Sequence, residues 1–303
     1  MPVRCGAVFD ERNDVSIQGD NTGENISSRR MPFCEFTVQY WAWKNCRADY
    51  YGLCHYRRYL SFAENRERHT NAHGMIEAFQ ITNAAKRRFG LLDEKAMTDR
   101  ILAHDVLIAE PGDVNRIPTY TGERVSNERE LWQAHEGLFI AEDTLDTLVL
   151  LIHQIAAEYE DAARAYFVSN QHIGYNCFVM KKAYFERLCA FQFPILFEME
   201  KRMDAQTSAK YPRLIGYAGE MLYGIFIYQL MLEGNVKIGY QQMVFFEDAK
   251  KVGNLWAQRL DMAGYTARRA AKCAANMLLP QGTRRRIRVK ALYSKTKDWG
   301  KRI

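Results

Sequence analysis

The ten residues Gly52-Leu53-Cys54-His55-Tyr56-Arg57-Arg58-Tyr59-Leu60-Ser61 bring an imidazole, two adjacent guanidiniums and two phenols together in a short span. Arginine is planar, permanently charged and forked, so an adjacent pair suits a phosphate or diphosphate, and the tyrosine rings suit the face of a base or sugar. The apolar lead-in reads as a short strand that delivers these groups at its C-terminal end, which in an open α/β sheet is where ligands bind. The same residues also fit a solvated basic turn with tyrosines packed beneath it.

The segment just upstream bears on that choice. Asp20-Asn21-Thr22-Gly23-Glu24-Asn25-Ile26-Ser27 is loop chemistry, and Phe33 to Asn45 reads as one helix with a broad apolar surface from Phe33, Phe36, Val38, Tyr40, Trp41 and Trp43. Ser27 or Ser28 can cap that helix, and Pro32 is tolerated in its first turn. Loop, helix and strand together would gather Asp20, Asn21, Asn25, Glu35 and His55 to Arg58 at one cleft. Trp41 and Trp43 read as core, because buried helices exist mainly for packing.

The remaining elements alternate. Phe62 to Arg88 is polar and reads as an excursion over the surface, with His69 and His73 as ordinary solvated residues rather than a metal pair. Glu94 to Ala103 predicts a helix, Asp105 to Ala109 a buried strand, and Thr144 to Tyr159 an amphipathic helix. Cys177 to Met180 reads as a strand leading into a helix from Tyr184 to Met203 that breaks or kinks at Pro194. Ala218 to Glu233 reads as a helix ended by Gly234, followed by a short strand from Val236 to Tyr240.

A chain of 303 residues with 48% hydrophobic residues can bury a substantial core, as one large domain or one domain with an extension. Charged residues near the start, Arg4, Asp10, Glu11, Arg12 and Asp14, do not read as a signal peptide, and no apolar run approaches the ~18 residues that span a bilayer. The cysteines at 5, 34, 46, 54, 177, 189 and 273 lack close paired spacing and read as reduced thiols of a cytosolic protein, neither a disulfide framework nor a zinc site. Charge is uneven: from Arg268 to Ile303 there are twelve Lys or Arg against Asp298 alone, whereas the whole chain carries only +6. The body before that tail is therefore mildly acidic. Such tails meet phosphates, of an anionic membrane or of a nucleic acid, and this one has no recognisable motif for reading nucleic acid.

Several blocks in order carry a resemblance. Asp20 to Ser27, then Cys34-Glu35-Phe36-Thr37, Tyr40-Trp41-Ala42-Trp43-Lys44-Asn45 and Tyr51-Gly52-Leu53-Cys54-His55-Tyr56-Arg57-Arg58-Tyr59 are followed by Gly174-Tyr175-Asn176-Cys177-Phe178-Val179-Met180-Lys181-Lys182 and Gly216-Tyr217-Ala218-Gly219-Glu220-Met221-Leu222. This arrangement, over roughly residues 1 to 245, resembles the domain-of-unknown-function 4422 family of bacterial capsular and exopolysaccharide glycosyltransferases. The resemblance implies an α/β fold with an A-type glycosyltransferase-like, Rossmann-like sheet flanked by helices over residues 1–247, and a helical basic C-terminal extension over 248–303. Members usually open with a strand carrying a His-Lys segment about thirty residues before the stretch matching Met1 to Ala7. The chain as read lacks that first strand, so either its true start lies upstream or it is a shortened, catalytically inactive binding or regulatory relative.

The resemblance further implies transfer of a hexose, of galactose type including the furanose form, from a nucleotide diphosphate sugar to a lipid-linked surface polysaccharide acceptor. The setting would be the cytoplasm, with the basic tail against the anionic inner face of the membrane. Such chemistry requires stabilisation of the departing diphosphate and, for inversion, a base for the acceptor hydroxyl. No Asp-x-Asp metal motif occurs, so His55, Tyr56, Arg57 and Arg58 are assigned to the diphosphate without a metal; a divalent cation such as manganese on scattered carboxylates, Asp20 and Glu35 among them, is the alternative. Asp20, Asn21, Asn25, Glu35 and Asn176 are candidates for donor or sugar binding, with Asn176 equally readable as a turn former. Glu220 is the candidate base: it opens the predicted 218–233 helix, where the dipole favours an ionised carboxylate, and it could equally be a simple cap.

Overall fold

The computed structural model describes residues 1–12, 15–248, 255–280 and 282–291. Leu292, Tyr293 and the rest of the basic tail lie outside the described residues. The central sheet has four strands in the order Ile238–Gln241, Val106–Ala109, Phe178–Lys181, Tyr50–Leu53. Val106–Ala109 is an unbroken apolar run with every residue buried, the pattern of a strand covered on both faces. It pairs in parallel with Ile238–Gln241, Val106 opposite Ile238, and antiparallel with Phe178–Lys181, Val106 opposite Met180. Phe178–Lys181 is also antiparallel to Tyr50–Leu53, with Leu53 opposite Phe178. Three strands thus end, and the fourth begins, along one edge. His55 to Arg58 leave the sheet there, and Tyr175 and Asn176 enter it.

Strand alternation assigns the two faces. Val106, Ile108, Tyr51, Phe178 and Met180 belong to the main core, filled by the helices Thr144–Ile155, Glu160–Val168, Lys182–Arg202 and Leu214–Glu233. Leu107, Ala109 and Cys177 pack on the other side with Leu60, Met75 and Met243. Leu60 and Met243 lie in a second sheet of Arg58–Leu60, Met243–Asp248 and Ile76–Gln80. The polar stretch from 62 to 88 is therefore more than a surface excursion: it contributes the Ile76–Gln80 strand, parallel to Met243–Asp248, and the helix Asn83–Arg88. Ile76 and Phe79 are buried while Glu77 and Ala78 are not, and a strand with so few apolar positions is hard to distinguish from loop by composition.

Packing also corrects the helices. The segment read as one helix from Phe33 is two, Arg30–Phe33 and Phe36–Asn45, separated at Cys34, whose φ of 52° is left-handed. Lys182–Arg202 runs through Pro194 without interruption, with Phe191, Phe193, Ile195 and Leu196 buried around it; this burial outweighs the one backbone hydrogen bond that proline forfeits. The expected Thr144 to Tyr159 helix ends at Ile155, and Glu160–Val168 follows after a short turn. The helix expected from Ala218 begins at Leu214 and ends at Gly234, with φ 70°.

The extension follows the second sheet. Helix Leu255–Leu278 docks through Tyr265, stacked on Phe79 with ring centroids 4.9 Å apart. Beyond it, Gly282 N donates to Gly122 O (2.8 Å) and Lys290 Nζ to Thr119 O (2.5 Å). No helix among the described residues is long and apolar enough to cross a membrane. The cysteines are free, and Cys54 and Cys273 are exposed.

Gly219 sets how closely the Leu214–Glu233 helix approaches the start of Phe36–Asn45. A Cβ there would lie 2.3 Å from Cζ of the fully buried Phe36, and one at Gly216 would lie 3.1 Å from Cys34 Sγ. Gly219→Ala is expected to cost about 1–3 kcal/mol through overpacking, read as a lower denaturant midpoint; an unchanged midpoint would show that Phe36 yields freely.

Candidate active site

A cleft of about 1400 Å³ opens at the sheet edge where the strands converge, lined by residues that include Glu35, His55 to Arg58, Arg213 and Glu220. One wall is cationic. The His55 to Arg58 turn is closed by Arg58 N donating to His55 O (3.0 Å). The Arg57 guanidinium lies 5.1 Å from the Tyr56 ring and 5.2 Å from Phe245; that of Arg58 lies 4.8 Å from Tyr175. Cation–π stacking holds both forks in place. The Nε of each arginine is buried without a hydrogen-bond partner, and neither side chain forms an ion pair among the described residues. His55 Nδ1 is likewise buried and unpartnered. Burial, reinforced by Arg58, Arg57 and Arg213 and offset in part by Glu35, pushes the His55 imidazole down to about 4, so it is neutral at neutral pH.

The facing wall is acidic. Glu35 precedes the Phe36–Asn45 helix and accepts a hydrogen bond from Asn176 Nδ2 (3.0 Å). Asn176 is itself buried and braces Glu35 from behind. Cys34, Tyr175 and Asn176 are the non-glycine residues with positive φ, at 52°, 67° and 45°, among the described residues. All three adjoin this cleft. Left-handed backbone at residues with a Cβ is strained, and such strain concentrates at functional sites. Arg213 Nε donates to Cys34 Sγ (3.2 Å), tying the first turn of the Leu214–Glu233 helix to this strained segment.

Glu220 is half-buried in the second turn of that helix, beyond the terminal amides, because the helix begins at Leu214. The expected stabilisation of its ionised form by the helix N-terminus therefore gives way to the opposite effect. Burial first, then the nearby Glu35 charge, raise its carboxyl from 4.5 to about 7, against the pull of Arg58, His172 and Arg213.

A buried network that sequence reasoning missed lies beside Glu220. His172 Nδ1 is 2.7 Å from Glu128 Oε1, Tyr166 OH donates to Glu128 Oε2 (3.1 Å), and Trp132 Nε1 donates to Tyr166 OH (3.0 Å). Burial opposes protonation of His172, but the charge and hydrogen bond of Glu128 outweigh it and raise the imidazole. Glu128 sits in the polar run Ser126 to Glu130, where nothing in the sequence marks it as interior; the only hint at His172 is that it lies two residues before the Gly174 block.

The polar loop does not reach the cleft. Asp20 is fully buried, and its two oxygens accept from Gly6 N and Ala7 N (2.8 Å each) and from Ser27 Oγ and Thr37 Oγ1 (2.5 Å each). Asn25 braces its own loop, donating to Gly23 O (2.9 Å) and accepting from Ser27 N (3.2 Å), and Asn21 is exposed nearby. Asp20 and Asn25 hold the chain that leads to Glu35. Asp20 and Glu35 do not converge on a common point, and no three His, Cys, Asp or Glu side chains gather as a metal-ligand set among the described residues.

The raised Glu220 carboxyl has a stability signature. Between 4.5 and about 7 the native state holds a proton that the unfolded chain has released, so this group lowers stability as pH rises through that window. Glu220→Gln should gain stability relative to the parent above about pH 7 and lose that relative gain below 4.5, as read by denaturation at both ends. Glu35→Gln removes the like charge and should shift the parent's transition downward; a window unmoved by Glu35→Gln would place the cause in burial alone.

A family model described as "Domain of unknown function (DUF4422)" matches residues 1–231. Among solved structures, a WbbM bifunctional glycosyltransferase in its apo form is similar at 26% identity with a TM-score of 0.71, over 82% of this chain and 42% of that one. The chain thus spans less than half the length of that protein. No curated protein matches. The mixed sheet flanked by helices is an A-type glycosyltransferase-like fold, and with a match over most of its length the chain belongs to the domain-of-unknown-function 4422 family.

Proposed function

We propose that the protein is a glycosyltransferase whose cleft binds a nucleotide diphosphate sugar, with Arg57 and Arg58 on the diphosphate. The observation that carries this reading is the pair of stacked guanidiniums whose buried Nε atoms have no partner. The two side chains are half-buried, and a diphosphate would give their unpartnered Nε donors anionic acceptors, with two anionic groups in reach of two forks. The similarity to a glycosyltransferase structure supports the same class of reaction.

The proposed chemistry follows from the opposing walls. Glu220, its proton affinity raised by burial and Glu35, takes the proton of an acceptor hydroxyl. The oxygen then bonds to the anomeric carbon as the bond from that carbon to the diphosphate oxygen breaks. The electron pair leaves with the diphosphate, where Arg57 and Arg58 stabilise it. Glu35, held by Asn176, is positioned for the hydroxyls of the transferred sugar. A hexose of galactose type, pyranose or furanose, a lipid-linked surface polysaccharide acceptor and action at the cytoplasmic face of the membrane rest on the family resemblance. With cationic side chains at the diphosphate, the reaction as proposed is independent of a divalent metal.

Arg58→Ala should weaken both the donor and the free nucleoside diphosphate by ~1.5–3 kcal/mol, the range for a hydrogen bond to a charged group. Calorimetry on the folded variant decides it, and unchanged affinity would return the arginines to a structural role. Transfer should continue in EDTA; complete loss with recovery on adding manganese would refute metal independence.

A further inference from the structure

The helix Leu255–Leu278 has two faces of opposite character. On one side Tyr265 is buried against Phe79, and Arg269, one turn on, lies 4.0 Å from Glu77. On the other side, at helical spacing, Trp256, Leu260, Ala267, Ala271, Ala274 and Leu278 form a stripe pointing away from the body. Trp256 and Leu260 are 73% exposed and Leu278 is 77% exposed. Arg259 and Arg268 flank the stripe, and Arg284, Arg285 and Arg288 are exposed on the following helical segment. Arg268, Arg284, Arg285 and Arg288 form no ion pair among the described residues.

We propose that this surface is a docking site for an anionic phospholipid bilayer, with the helix lying in the interface, its apolar stripe inserted and the arginines at the lipid phosphates. Charge complementarity selects the occupant. A second copy meeting this face symmetrically would bring the same cations together. A nucleic acid would satisfy the arginines and gain little from Trp256, Leu260 and Leu278. A lipid surface satisfies both at once, and no described helix is apolar enough to cross it. The extension also touches the 119–122 loop, and Tyr120 in that loop packs edge-on against Phe139 of the cleft lining, centroids 6.4 Å apart. Membrane docking would thus hold a bilayer beside the cleft, whatever ligand the cleft takes.

The test uses the full chain with sedimented vesicles of phosphatidylcholine alone or mixed with phosphatidylglycerol. Binding is expected only to the mixed vesicles and should fall as salt rises. Leu260→Ser with Leu278→Ser, and separately Arg284→Glu with Arg285→Glu, should each lower partitioning by on the order of tenfold or more, with circular dichroism unchanged. The blue shift of tryptophan fluorescence on adding mixed vesicles should shrink in Trp256→Phe. Equal binding to neutral vesicles, or variants that bind as the parent does, would overturn the proposal. So would a lipid-free dimer that Leu260→Ser dissociates, or tight duplex DNA binding without vesicle binding.

Discussion

The contact on which the site depends is the approach of the Phe36 ring to the bare backbone of Gly219. With Gly216 against Cys34, it brings the start of one helix against the first two turns of another, at a distance where a Cβ at Gly219 would lie 2.3 Å from the Phe36 ring and one at Gly216 would lie 3.1 Å from Cys34 Sγ. Two carboxylates, Glu35 and Glu220, are thereby placed close enough for one to raise the proton affinity of the other. The left-handed turn at Cys34 and the Arg213 contact to its sulfur are local consequences of the same closeness.

An acidic pair in a partly buried cleft must be balanced, and the opposite wall supplies the balance. Arg58 acts on Glu220 from one side and His172 from another, while His172 is held by the fully buried Glu128. The cleft is thus a charge-separated space, cationic along the His55 to Arg58 turn and acidic opposite, the arrangement on which the proposed roles of the two walls rest. Rings on both sides of the turn, Tyr56, Phe245 and Tyr175, restrict the orientations of the guanidiniums.

The sheet makes this geometry rigid. Because Phe178–Lys181 is antiparallel to both its neighbours, the residues just before it emerge at the same edge as those just after Tyr50–Leu53. Tyr175 and Arg58 meet there although more than a hundred positions separate them in the chain. Apolar groups on both faces, the helical core on one and the second sheet on the other, cover the central strand Val106–Ala109 and fix the edge at which the site residues emerge.

What the sequence determined by itself was what depends on local pattern and on residue type. The arginine pair, the apolar run from Val106 to Ala109, the long helices and the ordered family blocks were all legible. So was the candidacy of Glu220 and Glu35, because a carboxylate within a recognisable block is visible as a letter. What only the tertiary structure decided was where each polar group sends its hydrogen bonds. Asp20 looked like a ligand-binding acid and proves to be an anchor for Gly6, Ala7, Ser27 and Thr37, partners up to seventeen positions away. Glu128, in a polar run with no interior signal, is fully buried against His172. Glu220 was expected to be ionised by a helix end, and burial with Glu35 reverses the sign. Residue type and periodicity are local properties, whereas burial, charge proximity and strand order are set by contacts between distant segments, and those contacts decide which polar side chains hold the fold together and which face the cleft.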